Sequence, residues 1–276
     1  MKIKFSKMHS LSNDFVVINN TKKKYYLDKN IIQKLSNRYT SIGFDQLLLI
    51  ELSNNKNIDF HYRIFNADGK EVNQCGNGAR CFAIYVKLKK LTLKKNIFIS
   101  TNTNILHLKI LKNNKVCVNM GTPLFNPESL PFLGKLKKDS YSLFFNNKLI
   151  IFDIVSLGNP HCVIQVNNIS DIPIKLIGSF IQNHKLFPNK VNVGFMEFIN
   201  SNNIKLRVFE RGVGETNACG TGACAAVAIG IKKKLLSDKV KVDLIGGSLD
   251  IKWKGKNSHI FMKGDAHYIY DGEIDL

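Results

Sequence analysis

Short runs of alternating or β-branched apolar residues recur along most of the chain, with Asn, Gly or Asp between them. They predict strands over Phe15–Ile18, Leu47–Glu51, Phe60–Phe65, Ile97–Ser100, Leu106–Leu111, Val116–Met120, Ile150–Val155, Cys162–Val166, Lys205–Phe209, Val240–Leu244, Leu249–Trp253 and His259–Lys263. Residues Tyr268–Leu276 form one more β-like segment, expected to return to the first half of the chain. Two stretches differ. Asn77–Lys90 and Thr221–Lys234 are rich in Ala, apolar on more than one side, and end in lysines that suit a helix C-terminus. A third helix is predicted over Lys29–Arg38. Many strands around two apolar helices predict an α+β fold in which sheet wraps each helix.

The arrangement repeats within the chain. Arg63-Ile-Phe-Asn-Ala-Asp-Gly-Lys-Glu-Val-Asn-Gln-Cys75-Gly-Asn-Gly-Ala79 aligns without a gap on Arg207-Val-Phe-Glu-Arg-Gly-Val-Gly-Glu-Thr-Asn-Ala-Cys219-Gly-Thr-Gly-Ala223, at a constant separation of 144 residues. Arg63/Arg207, Phe65/Phe209, Glu71/Glu215, Asn73/Asn217, Cys75/Cys219 and the glycines that follow all match. Upstream, Ser12-Asn13-Asp14-Phe15 resembles Gly158-Asn159-Pro160-His161. The pattern reads as a duplication: two halves meeting across a pseudo-twofold axis, with the cleft between them the expected site. The boundary is expected near Met120–Pro123, giving one half of residues 1–120 plus 265–276 with Cys75, and another of residues 121–264 with Cys219.

Composition narrows the function classes. The 276 residues are 44% hydrophobic and 22% charged, which fits neither a disordered nor a fibrous chain. No apolar run approaches the roughly 18 residues of a membrane span, and residues 1–12 lack the apolar stretch of a signal peptide, so a soluble, cytoplasmic protein is expected. The formal charge of +19 raises nucleic acid as a partner. Against it, only Arg38, Arg63, Arg80, Arg207 and Arg211 among 40 basic residues are arginine, the side chain that bidentate readout favours. The lysines are scattered, without interleaved aromatic residues, and nucleic acid is not the expected partner.

Six cysteines are too few for a disulfide scaffold at this length, and none forms C-x-x-C, so free thiols and no metal centre are expected. Two of them, Cys75 and Cys219, open Cys-Gly-x-Gly turns before apolar helices. The glycines are expected to permit positive φ and close backbone approach, letting N–H groups converge on an anion. Positive potential at a helix start favours the thiolate. A single such unit could equally be a redox thiol or a packing residue. Two units related by symmetry place one thiol on each side of a bound carbon, the geometry that inverts a stereocentre by removing a proton from one face and delivering one to the other. A redox sensor, with a reversible Cys75–Cys219 bridge as its output, and a basic nucleic-acid-binding protein are the readings from other classes.

These residues carry a family resemblance. Asn66-Ala-Asp-Gly with Cys75-Gly-Asn-Gly, Gly158-Asn159-Pro160-His161, and Glu210-Arg211-Gly-Val-Gly-Glu-Thr-Asn-Ala-Cys219-Gly-Thr-Gly-Ala-Cys224 resemble the diaminopimelate epimerases. The likeness runs from Lys7-Met8-His9 to Tyr270-Asp271-Gly272. It implies two pseudo-symmetric α+β domains, each a mostly antiparallel sheet or barrel around a central helix. It also implies a cofactor-independent enzyme that interconverts LL- and meso-diaminopimelate for lysine and peptidoglycan synthesis, and a homodimer. By matching position, Cys75 and Cys219 would be the acid/base thiols, with His161 and Glu210 as auxiliary residues beside them. Gly76, Asn77, Gly220 and Thr221 would bind the reacting α-carboxylate. Asn13, Asn66, Asn159, Asn192, Glu210 and Arg211 would hold the distal end, and Gln46 would line the site. Tyr270 resembles a tyrosine linked to dimer formation. A proline or hydroxyproline epimerase of the same fold is the nearest alternative, but would not need Arg211 and the Asn set for a second amino-acid head. Ala79-Arg80-Cys81 and Asn217 fall where variation is expected. Cys81, Cys117, Cys162 and Cys224 are expected to pack, Asp68 to cap or pair locally, and Glu71 and Glu215 to serve the scaffold.

Overall fold

The computed structural model describes residues 2–72, 75–134, 136 and 138–276; Asn73, the repeat partner of Asn217, and Gln74 lie outside the described residues. Contacts gather the chain into two units, Met1–Asn119 with Lys263–Leu276, and Met120–Met262.

In the first unit, β1 (Lys2–Ser10) and β2 (Asn13–Asn19) form an antiparallel hairpin. Leu11 and Ser12 turn it with φ of 53° and 61°, the mirror-image turn whose twist matches the flanking strands. Helix α1 (Lys29–Ser36) starts where the Asp28 side chain accepts the Ile31 N–H. Strand β3 (Gln46–Glu51) runs parallel to β2 and antiparallel to β4 (Phe60–Asn66). After the short β5 (Glu71–Val72) comes α2 (Gly76–Leu88). Then β6 (Asn96–Ser100) lies parallel to β4 and continues into β7 (Ile105–Ile110) and β8 (Lys115–Asn119).

Helices cover both faces of this sheet. Alternate residues Val16, Ile18, Leu47, Leu49 and Phe65 pack with Ile32 and Leu35 of α1. The intervening Phe15, Leu48 and Tyr62 lie under Gly78 of α2. Burial on both faces explains why Val16-Val17-Ile18 and Leu47-Leu48-Leu49-Ile50 read as continuous apolar runs, not alternating ones. Helix α2 is buried from Gly76 to Val86, and β1, β2, β3, β7 and β8 surround it.

The second unit repeats the plan. Strands β9 (Tyr141–Phe145) and β10 (Lys148–Ser156) form a hairpin, and β11 (Pro160–Val166) pairs antiparallel with β10. Helix α3 (Ile174–Gln182) follows, and β12 (Asn192–Asn200) returns parallel to β11, as β3 does to β2. Next come β13 (Asn203–Glu210), β14 (Gly214–Thr216), α4 (Gly220–Lys232), β15 (Lys239–Leu244), parallel to β13, and β16 (Gly247–Lys252); β17 (Phe261–Asp265) begins in this unit and ends in the first. Helix α4 packs on β10–β13 and β16, while α3 covers the cluster of Phe152, Ile154, Ile164, Val193 and Phe195 on the opposite face. The last strand, β18 (His267–Asp275), pairs antiparallel with β1.

The repeated Arg and Glu of the two motifs are ion pairs that clip a short strand to its neighbour. Arg63 Nε and Nη2 donate to Glu71 at 3.0 and 2.9 Å, and Arg207 Nε donates to Glu215 at 2.7 Å. Each clip fixes the path of the chain just before a cysteine. The strands at Lys2–Ser10, Tyr141–Phe145 and Asn192–Asn200 and the helix at Ile174–Gln182 are elements that the sequence pattern did not predict.

Candidate active site

Each cysteine caps its own helix. Cys75 has extended backbone (φ −146°, ψ 110°) and its Sγ accepts the Gly78 N–H at 3.3 Å. Cys219 repeats this (φ −130°, ψ 110°), accepting the Gly222 N–H at 3.4 Å. The local sequence dictates the arrangement: a sulfur three residues before a glycine satisfies one of the otherwise unpaired N–H groups of the first turn. The role expected for the glycines needs correction. Gly76, Gly78, Gly220 and Gly222 are helical rather than left-handed, and what requires Gly78 is space. A Cβ there would lie 2.3 Å from the Tyr62 hydroxyl.

Around Cys75 the sheet presents its site residues at one end: Asn13 opens β2, Gln46 opens β3 and Asn66 closes β4. Gln46 Nε2 donates to Asn66 Oδ1 at 2.8 Å, while the buried Gln46 Oε1 has no protein partner among the described residues. Asn13 Oδ1 lies 3.9 Å from the Cys75 sulfur, and Asn13 Nδ2 donates to Asp45 Oδ2 at 3.0 Å. Behind these residues, Arg38 donates to Asp14 at 2.6 and 3.1 Å and to Asp45 at 2.8 Å; Lys7 donates to Asp14 and to the Gly43 carbonyl. Burial opposes charge on Asp14, but Arg38 and Lys7 outweigh it and hold the carboxyl well below the usual carboxylate range. The network fixes the roots of Asn13 and Gln46.

Arg80, passed over in the sequence as a variable position, is fully buried beneath the start of α2. It donates to the Gly76 carbonyl at 3.3 Å, Asn77 Oδ1 at 2.7 Å, Ser10 Oγ at 2.6 Å and the Asp265 carbonyl at 3.2 Å. Gly76 and Asn77 are thus held from below by a guanidinium. The second unit has Cys224 at the matching position.

Around Cys219 the same three strand ends supply Asn159 and His161, Asn192, and Glu210 with Arg211. Asn159 Nδ2 donates to Thr221 Oγ1 at 3.3 Å, and Thr221 Oγ1 lies 3.5 Å from the Cys219 sulfur. His161 Nε2 is 3.1 Å from Asn159 Oδ1. Asn192 donates to the Pro160 carbonyl at 3.0 Å and accepts the Arg211 N–H at 2.9 Å. Glu210 Oε1 accepts the Thr216 hydroxyl at 2.6 Å.

Electrostatics separate the two thiols' surroundings. Cys75 is half-buried, whereas Cys219 is buried. Burial first, then the adjacent Glu210 charge, pushes the Cys219 thiol well above its usual range, although Thr221 and the Gly222 N–H oppose this. The thiolate that a helix start was expected to favour is therefore reversed at Cys219, because desolvation exceeds the pull of the helix terminus. Burial also raises the Glu210 carboxyl. His161 is lowered to about 3, mainly by burial and then by the Arg211 charge, so its ring is neutral at pH 7.

The sequence-predicted residues thus form two groups, Asn13, Gln46, Asn66, Cys75, Gly76 and Asn77 in the first unit, and Asn159, His161, Asn192, Glu210, Arg211, Cys219, Gly220 and Thr221 in the second. Tyr270 stands apart on β18, exposed and edge-on to Phe5. Among the described residues no cluster of three His, Cys, Asp or Glu is placed to hold a metal ion, and no helix is long and apolar enough to cross a membrane. The sequence pattern singled out none of Arg80, Thr216 and Gln182, whose hydrogen bonds reach these groups; Arg80 and Gln182 stand out by no spacing, and Thr216 lies inside the second cysteine motif.

The sequence matches the family model for diaminopimelate epimerase over residues 5–125 and 154–269. A diaminopimelate epimerase of Buchnera aphidicola subsp. Baizongia pistaciae (strain Bp) is 55% identical over 100% of this chain and 97% of that protein. One from Blochmanniella pennsylvanica (strain BPEN) is 50% identical over 99% and 100%. Among solved structures, a hydroxyproline epimerase from Agrobacterium vitis superposes with a TM-score of 0.71 at 12% identity, covering 99% of this chain and 92% of that one, which establishes the shared fold. The chain belongs to the diaminopimelate epimerase family.

Proposed function

We propose that this protein interconverts LL- and meso-diaminopimelate by a two-base mechanism in which Cys75 and Cys219 exchange the α-proton, without a cofactor. The observation that carries the mechanism is the pair of helix-capping thiols, one in each unit, each holding the N–H of a glycine three residues on. Inversion requires a base on one face of the α-carbon and an acid on the other. In the direction in which Cys75 is the base, it takes the α-proton as thiolate and Cys219 delivers its own proton to the opposite face; the burial that holds Cys219 neutral supports that donor role. The proton count balances: Cys75 ends as the thiol and Cys219 as the thiolate, and the reverse reaction restores both. Glu210, beside Cys219, sets that thiol's protonation, and Thr216 and Thr221 fix the two groups.

The reacting carboxylate is bound at Gly76, Asn77, Gly220 and Thr221. Helix-start N–H groups aimed there stabilise negative charge that develops as the α-carbon loses its proton. Asn13, Asn66, Asn159, Asn192, Glu210 and Arg211 read the distal amino-acid head, Arg211 pairing bidentately with its carboxylate. Gln46, held through its hydrogen bond to Asn66, lines the site beside it. We read the two halves, residues 1–120 plus 265–276 and residues 121–264, as the two epimerase domains. The protein works in the cytoplasm as a homodimer, with Tyr270 at the contact; the exposed Tyr268, Ile269 and Tyr270 on β18 support that assignment.

The test is proton NMR of the reduced protein with LL-diaminopimelate in D2O, without pyridoxal phosphate or metal. Meso product carrying deuterium at one α-carbon is expected. No exchange in folded, fully reduced protein would overturn the substrate assignment.

A further inference from the structure

Gln182 is the last residue of α3, buried to 5% exposure, and every described hydrogen bond of its amide goes to backbone beside the site. Its Nε2 donates to the carbonyls of Val191 and Glu210, both at 3.2 Å, and its Oε1 accepts the Gly212 N–H at 3.3 Å. The three partners flank Asn192, which opens one strand, and Arg211, in the turn that follows the next. Asn192 in turn accepts the Arg211 N–H at 2.9 Å, closing a ring of hydrogen bonds around the root of Arg211.

We propose that Gln182 is a positioning residue that sets the register of Arg211 and Asn192, and so the affinity for the distal amino-acid head of the substrate. The inference rests on the substrate reading above. The placement fits that duty. Gly212 and Gly214 carry φ of 75° and 107°, so the turn that bears Arg211 is built from permissive backbone and needs an external tie. An amide is suited to it because it offers two donors and an acceptor in one plane, matching two carbonyls and an N–H. The first unit has a like tie: on α1, Gln33 Nε2 donates to the Asp68 carbonyl at 3.1 Å and Ser36 Oγ to the Ala67 carbonyl at 2.9 Å, holding the turn after Asn66. There the glutamine is exposed, whereas Gln182 is buried.

The experiment compares wild type with Gln182→Met, which keeps the side chain's length and removes all three bonds. KM for diaminopimelate should rise about tenfold while kcat falls less than about threefold, since the lost bonds hold backbone around Arg211 and Asn192 while the Glu210 carboxylate keeps its own bond from Thr216. Hydrogen exchange should speed up at the Gly212 amide and not in α2 or α4. Combined with Arg211→Ala, the substitution should add little further to KM. A full multiplicative effect in that background, or an unchanged KM in a folded variant, would overturn the proposal. If Gln182→Met does not fold, Gln182→Asn, which withdraws the amide by one methylene, carries the same readouts. Absence of turnover in wild type would instead refute the substrate reading, and the Gly212 exchange rate would still test the tie.

Discussion

His161 and Arg211 illustrate how single side chains are tuned at this site. Burial and the nearby guanidinium charge keep the His161 ring neutral, down to a pKa of about 3 against an ordinary 6.5. Between those values an unfolded chain binds a proton that the folded chain refuses. Folded stability therefore falls as pH drops through that window, by at most about 1.4 kcal/mol per pH unit from this residue. Urea denaturation from pH 7 to pH 4 should show that slope, and His161→Gln should flatten it; an unchanged slope would remove His161 from the neutral, buried role. Legibility at this scale followed the motifs. Cys75 and Cys219 stand out because chemistry and spacing coincide in the repeat, whereas Asn66, Glu210 and Arg211 are legible only through the family resemblance. Arg80 and Gln182 did not, because what they bind is backbone or polar groups brought close by folding, and their type alone signals only a surface residue.

The two motif helices look alike at the level of elements but differ in tolerance. A Cβ on Gly78 would press at 2.3 Å on the hydroxyl of the fully buried Tyr62, whereas one on Gly222 would meet Val208 at 3.0 Å. Gly78→Ala should therefore cost about 1–3 kcal/mol, with a correspondingly lower Tm, and Gly222→Ala clearly less. Equal melting temperatures for the two variants would contradict this packing difference. Both helices were legible because an Ala-rich apolar stretch follows a cysteine turn. Helix α3 was not, since it starts at Pro173 without a side-chain cap and carries Gly178 and several isoleucines. Gly178 is demanded from outside the helix: a Cβ there would lie 2.6 Å from the Phe209 ring. Strand β12 was missed for a related reason, as Gly194 interrupts it and burial on both faces hides any alternation.

For the whole molecule, the duplication gives both units one frame, from which they depart in a few side chains around the cysteines. Both units cap a helix with a thiol, clip the preceding strand with an Arg–Glu pair and gather polar residues at the same strand ends. Around that common frame stand Arg80 and Tyr62 in the first unit, Cys224 and Leu206 in the second, and a half-buried thiol in one against a buried thiol in the other. The gapless repeat made the paired helices and thiols legible from sequence. The burial that separates the thiols was not, because it depends on how each sheet closes over its own helix. The most direct test of the two-thiol mechanism is the epimerisation rate of Cys75→Ala and Cys219→Ala measured side by side with wild type. Each variant should keep its fold and lose at least about a thousandfold in rate, because no other group replaces the missing acid or base on its face. Near-normal turnover by either variant would contradict the mechanism.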